Sequence, residues 1–269
     1  MRSAMPPAAD PIEEAWGLLD DGRPEEALRA AESRLREDPG DGGALLVAGS
    51  ALLEMGEHAR ARARLSKALD ADPGDPAVRL TMAALHYETC EFAAGLDHVD
   101  HVLRQDPGDG YAHYLRGLLC DMLGRSGEAD ACFRRAAELD PDRCPLPAAI
   151  GAREFDAAVA EAVAALPPDF RSRIEGLPIL VEDVPSLELL KTLDRPAPDL
   201  LGLFVGTPLT LKSHMDLPGT DAVYLFKRNL ERAAADREEL VEEIGVTLLH
   251  EIGHYLGMEE DDLDEAGFA

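Results

Sequence analysis

No stretch of the sequence holds the roughly 18 consecutive apolar residues that a bilayer-spanning helix needs. The first residues, MRSAMPPAADPIEEAW, also lack the continuous apolar segment of a secretory leader, so neither a signal peptide nor a membrane anchor is expected. Cysteine is scarce: the four are Cys90, Cys120, Cys132 and Cys144, and no two form a CxxC pair. That disfavours a cysteine zinc site and is expected of reduced, mostly buried thiols in a cytoplasmic protein. Basic residues are also in short supply. Lys and Arg number 26 against 53 Asp and Glu, a net charge of −27. A surface this acidic repels phosphate backbones and anionic lipid. Nucleic acid and membrane are therefore poor partners, and basic ligands are favoured.

What remains is an ordinary globular composition, 46% hydrophobic and 29% charged, in 269 residues, enough for two domains. The first half is periodic. Asp-Pro recurs at Asp38-Pro39, Asp72-Pro73, Asp106-Pro107 and Asp140-Pro141, a spacing of 34 each time. Two amphipathic helical patterns lie between successive markers, and each proline stops the second helix of a pair. In residues 110–143, Gly117 and Ala129 are small where two helices cross, Gly124 sits in the turn, and Phe133 and Ala136 fill the interface. Unit 42–75 repeats this with Gly49, Gly56, Ala61, Leu65 and Ala68.

Over roughly residues 8–143, as four units, this resembles the tetratricopeptide repeat (TPR) family, with its period of about 34 residues. The first and third units depart from the pattern, with Arg34, Val102 and Gly95 where the family usually has alanine. Such helix pairs stack into a solenoid whose inner groove is lined by the first helix of each pair. By phase, the groove should present Leu53, Glu54, Tyr87, Glu88, Tyr111, Tyr114 and Asp121, together with Leu46, Leu80, Leu118 and Met122. An apolar, aromatic and acidic groove of this kind suits basic or apolar peptide segments, or packing against a neighbouring domain. The HxxH formed by His98 and His101 is expected on a solvated convex face, with no metal.

After Pro147 the repeat stops. Residues 154–166 form an amphipathic helical pattern, and 178–183, 200–206 and 222–226 read as short strands. Residues 207–221 read as a loop, 227–244 as a charged helix, and 245–256 as its apolar continuation or a new start. Helix, strands, then helices make a small α+β domain over 150–269.

The chemistry is concentrated in Val246-Thr-Leu-Leu-His250-Glu251-Ile-Gly-His254-Tyr-Leu-Gly257. On a helix, residues four apart share a face, so His250 and His254 present two imidazoles to one point, the arrangement of a zinc site. Glu251 lies about 100° around the helix from His250. A carboxylate there stays off the metal yet near the water a metal would hold, and can act as a general base. The apolar flanks mark a helix built for burial, where two histidines and a glutamate need a reason.

The segment from about Phe155 to Leu263 resembles the minimal zincin-like metallopeptidase family, with its HExxHxxGxx(D/E) motif. The resemblance rests on Val181-Glu-Asp-Val-Pro185, on Leu201-Gly-Leu-Phe-Val-Gly-Thr-Pro-Leu-Thr210, on Ser213-His214 and Asp221-Ala-Val-Tyr-Leu-Phe226, and on the terminal motif. It implies a zincin fold, a bound Zn2+ ion and peptidase activity, with Glu251 catalytic and His250 and His254 as ligands. A catalytic zinc needs a third protein ligand. Gly257 can end the helix and turn the chain back, and Glu260 falls where related motifs place that ligand, with Asp261 its rival and an upstream carboxylate or water also open. His214, Tyr224 or Tyr255 could donate to an oxyanion, with Tyr255 better placed to pack. The expected architecture is an all-α TPR solenoid followed by a small α+β zincin-like domain. The expected activity is zinc-dependent hydrolysis of a peptide or protein recruited by the repeats. The alternatives are an adaptor with a non-catalytic zinc site and a hydrolase of non-peptide amides.

Overall fold

The computed structural model describes residues 11–209, 221–258 and 263. The chain divides into two compact units, Met1–Arg135 and Ala136–Ala269. Among the described residues no helix is long and apolar enough to cross a membrane.

The first unit is built of helix pairs: α1 (Pro11–Asp20) with α2 (Pro24–Glu37), α3 (Gly42–Glu54) with α4 (His58–Ala71), α5 (Pro76–Glu88) with α6 (Phe92–Gln105), and α7 (Gly110–Met122) with α8 (Ser126–Leu139). The Asp-Pro markers turn out to be the first half of a longer joint, Asp-Pro-Gly-Asp. In each joint the first aspartate accepts a hydrogen bond from the glycine N–H two residues on, as at Asp38, Asp72 and Asp106. The second aspartate caps the next helix: Asp41, Asp75 and Asp109 accept from the N–H groups of Ala44, Ala77 and Ala112. Each joint thus satisfies helix-start donors that would otherwise be orphaned. The fourth marker has no Gly-Asp, and there the repeat stops.

The small residues serve the close crossings. A Cβ on Gly117 would lie 2.6 Å from the Phe133 ring, and one on Gly49 2.5 Å from the Leu65 side chain. The turns within the pairs use a left-handed residue every 34 positions: Gly22, Gly56, Cys90 and Gly124, with φ of 69°, 69°, 58° and 71°. Only the third is not glycine, and an L side chain in that conformation costs roughly 1–2 kcal/mol. Replacing Cys90 with Gly is therefore expected to raise the stability of the repeat unit by about 0.5–1 kcal/mol. Denaturant midpoints of the two proteins measure this; an unchanged or lower midpoint would show that contacts of the Cys90 side chain outweigh the strain.

The four cysteines are thiols, and burial pushes Cys120 up to about 11. His98 departs from expectation. Instead of facing solvent it is half-buried, its ring stacked 5.4 Å from that of His86, which is itself buried. Burial first, then the charges of His86 and Arg79, hold His98 down at about 4. Its neighbour His101 meets Gln105 at 3.1 Å.

The second unit opens with α9 (Ala152–Ala165) and the short α10 (Pro168–Arg173). The chain continues through β1 (Ile179–Glu182), α11 (Leu187–Leu190), β2 (Gly202–Val205) and β3 (Ala222–Phe226), and ends in α12 (Lys227–Ala233) and α13 (Arg237–Leu256). The sheet order is β1-β3-β2, with β1 parallel and β2 antiparallel to the central β3. The expected long charged helix is broken at 234–236, because the Asp236 side chain caps a new start at the Glu238 and Glu239 N–H groups. From there α13 runs unbroken for 20 residues. Its Leu240, Ile244, Leu248 and Ile252 recur every fourth residue and are buried in one core with Phe155, Ala158 and Ala162 of α9 and Val223 and Leu225 of β3. The unit is a small α+β fold with α13 laid across the sheet.

Candidate metal and catalytic site

Residues three and four apart on α13 make a second stripe beside the core-facing one: Glu243, Thr247, His250, Glu251 and His254. This stripe faces β2. The imidazoles of His250 and His254 converge, with their Nε2 atoms 3.1 Å apart and their rings nearly perpendicular at 85°. Two nitrogens held at zinc-bond length, ~2.0–2.1 Å, from a tetrahedral ion would stand ~3.3 Å apart. The pair therefore fits a zinc ion with little adjustment.

Glu251 is buried, with 7% of its surface exposed. A buried carboxylate needs donors, and Oε2 accepts a hydrogen bond from the Phe204 backbone N–H at 2.5 Å. The sheet register explains why that N–H is available. Phe226 donates to the Leu201 carbonyl, so Leu201, Leu203 and Val205 face β3 with their ladder groups. Phe204 belongs to the alternate set, whose N–H groups point away from β3 on this edge strand. The same alternation puts Gly202 and Phe204 on the α13 face, opposite the buried Leu225 and Val223.

Gly202 permits the approach. A Cβ there would lie 2.5 Å from Thr247 Cγ2 and 3.2 Å from Glu251 Cγ. The sequence carried a signal for this contact, since glycine inside a strand often marks close approach of another element. The chain entering β2 is held by the buried Asn229, whose amide donates to the carbonyls of Pro198 and Leu200 at 2.9 and 2.5 Å and whose oxygen accepts from Arg232. Sequence reasoning singled out neither Asn229 nor the Phe204 amide; a backbone donor leaves no trace in residue type.

At its C-terminal end α13 stops where Gly257 takes φ 84°. The N–H of Met258 returns to the Gly253 carbonyl and that of Gly257 to His254, satisfying carbonyls of the last turn. Leu263 is fully buried against Gly253, between the two histidines in sequence, where a Cβ would collide with its side chain. Glu260, Asp261 and His214 lie outside the described residues. Among the described residues no group of three or more His, Cys, Asp or Glu is gathered to hold a metal. Tyr255 packs, its ring edge-on to Phe204 at 5.4 Å and its carbonyl accepting from the Leu209 N–H at 2.7 Å. Tyr224 stacks with Phe226 on the sheet face opposite α13, which removes it as an oxyanion donor.

In the repeat unit the candidate partner-binding residues fall into three groups. Glu54 and Tyr111 are exposed, and burial, then Asp20, raises the Glu54 carboxyl above its ordinary value. Leu53, Tyr87 and Asp121 are buried, with Tyr87 against the Phe92 ring at 6.0 Å. Glu88 is engaged by His58 at 2.8 Å, and half-buried Tyr114 meets the edge of Phe133 at 5.5 Å.

Family models match segments of both units. Three tetratricopeptide repeat models match residues 12–76, 52–119 and 110–143, and the zincin-like metallopeptidase model matches residues 174–268. The chain is a tetratricopeptide repeat array fused to a zincin-like metallopeptidase domain. Similar solved structures include MamA from Desulfovibrio magneticus RS-1, 26% identical over 49% of this chain and 77% of that one, with a TM-score of 0.43. A thermophilic TPR protein of Thermus thermophilus is 21% identical over 61% of this chain and 94% of that one, at 0.48. PilF of Pseudomonas aeruginosa is 19% identical over 49% and 60%, at 0.46. No curated protein matches the sequence.

Proposed function

We propose that the chain is a zinc-dependent metallopeptidase of the cytoplasm, with its repeat array at 8–143 recruiting a peptide or protein and its catalytic domain at 150–269. The observation that carries this reading is the convergence of the His250 and His254 Nε2 atoms, 3.1 Å apart, beside a buried Glu251 anchored on an edge strand. Zinc, when bound, supplies Lewis acidity: it makes water acidic near neutral pH and polarises a carbonyl. His250 and His254 hold it as neutral donors. Glu251 accepts the proton of the attacking water and passes it to the leaving amine, its carboxylate fixed by the Phe204 N–H. Exposed Glu54 and Tyr111 of the array give basic or apolar segments a first contact.

Glu260 is the proposed third ligand. In support, the helix ends at Gly257 and Leu263 is seated on Gly253, so the chain returns to the helix turn that carries the imidazoles. The experiment is metal analysis with peptide cleavage. Wild type is expected to carry one zinc per chain and to cleave peptides of a diverse mixture, whereas His254→Ala loses both. Glu260→Ala is expected to weaken zinc binding by about 10–100-fold or more, and Asp261→Ala to leave it near wild type. Stoichiometric zinc in His254→Ala would end the metal assignment. Wild-type zinc affinity in Glu260→Ala would transfer the third position elsewhere. Zinc without peptide cleavage would remove the peptidase and leave the adaptor or a hydrolase of non-peptide amides.

A further inference from the structure

A cleft of about 210 Å³ opens between the start of β2 and α13, and the candidate catalytic residues occupy only one end of it. His250 and Glu251 stand at that end. Leu200, Leu201 and Val246 form the walls, and Glu243 stands at the far end. Val246 is 43% exposed, an apolar side chain presented to the cleft. Glu243 is half-buried, and among the described residues no hydrogen bond or ion pair engages it. It sits too far along α13 to serve the helix start, which Asp236, Glu238 and Glu239 already occupy. Among the described residues no cation pairs with this carboxylate, so it is open to a cationic partner from outside the chain.

We infer that this cleft is a specificity subsite for a lysine or arginine side chain of the substrate, with Glu243 as its charge partner. The inference rests on the peptidase reading. Its chemistry is that of a long basic side chain: the methylene stem covers Leu200, Leu201 and Val246, and the cationic head reaches Glu243. The dimensions agree. Glu243 precedes His250 by seven residues, about 10 Å along a helix rising 1.5 Å per residue. An extended peptide advances ~3.3 Å per residue, so the basic residue belongs within about three positions of the cut bond. The net charge of −27 draws basic peptides toward the protein, and the cleft gives one such residue a place.

The test uses the full-length chain and two sets of peptides that differ only in lysine against norleucine at each position within three residues of the cut bond. Binding is read by fluorescence anisotropy on the Glu251→Gln variant, and cleavage on the zinc-loaded wild type. Lysine is expected to be preferred by about tenfold at one position, in a manner weakened by salt. Glu243→Gln is expected to bring that ratio to near one, and Glu243→Lys to turn it toward glutamate-containing peptides. Lysine and norleucine peptides that bind and are cleaved alike, or a preference that survives in Glu243→Gln, would overturn the subsite while leaving the peptidase standing. Discrimination by Glu243 in binding, with no cleavage by wild type, would keep the subsite and remove the peptidase.

Discussion

Glu251→Gln is expected to keep its zinc and to lower peptide hydrolysis by about 10²–10⁴-fold, the range general-base catalysis commonly supplies. The substitution preserves the local structure for a specific reason. Glutamine offers a carbonyl oxygen where the carboxylate now accepts the Phe204 N–H at 2.5 Å, so the side chain can stay in place. What it loses is the capacity to take a proton. Phe204→Pro removes the other half of the contact. The Phe204 amide points away from β3, and proline is tolerated at outward positions of edge strands, so the sheet should survive. The proline variant is expected to lose activity through kcat, with KM and zinc content little changed. Phe204→Ala, which keeps the amide, controls for loss of the ring contact with Tyr255. Steady-state kinetics with any peptide the wild type cleaves settles the matter. Full activity in Glu251→Gln would exclude it as the base.

The repeat was legible because it is written redundantly: the same proline, glycine and alanine positions return every 34 residues, and tertiary context has little freedom to override four copies in phase. The joints were only half legible. Asp38, Asp72 and Asp106 stood out through the prolines beside them, whereas the capping role of Asp41, Asp75 and Asp109 appears only when the helix start is located. His98 misled for a related reason. Its phase on α6 reads as solvent-facing, but its ring stacks on His86 of the paired helix α5, and that contact depends on how the two helices cross, which phase within one helix does not encode.

Helix α13 shows the same boundary. The i, i+4 spacing of His250 and His254 is a local property, and helix geometry puts both imidazoles on one face. The αL end at Gly257 is local as well. The tether of Glu251 is not, because its donor lies 47 residues upstream and belongs to the backbone. Tyr224 lay beyond sequence reasoning for want of the sheet register; β-strand alternation places every second residue on a face, but which face meets α13 is decided by packing.

Gly202→Ala is expected to destabilise the second unit and to lower the rate by more than the loss of stability alone would. The new Cβ would sit 2.5 Å from Thr247 Cγ2, 3.1 Å from the Tyr224 carbonyl oxygen and 3.2 Å from Glu251 Cγ. The carbonyl belongs to the central strand and cannot yield without breaking the β2–β3 ladder. The helix must therefore lift, and α13 is anchored in the core through Leu240, Ile244, Leu248 and Ile252. Overpacking of this kind costs about 1–3 kcal/mol. The functional loss should exceed the structural one, since a displacement of about 1 Å at a catalytic group can cost roughly 100-fold in rate. Thr247→Ala removes the closest obstacle and leaves the Tyr224 carbonyl contact at 3.1 Å, so the double variant Gly202→Ala/Thr247→Ala is expected to recover part of the stability. It should not recover the rate, because the Glu251 Cγ contact at 3.2 Å remains. Denaturant midpoints and kcat/KM for the wild type, both single variants and the double variant separate the two effects. A Gly202→Ala protein of wild-type stability and rate would show that α13 and β2 are not held at the distance on which the placement of Glu251 depends.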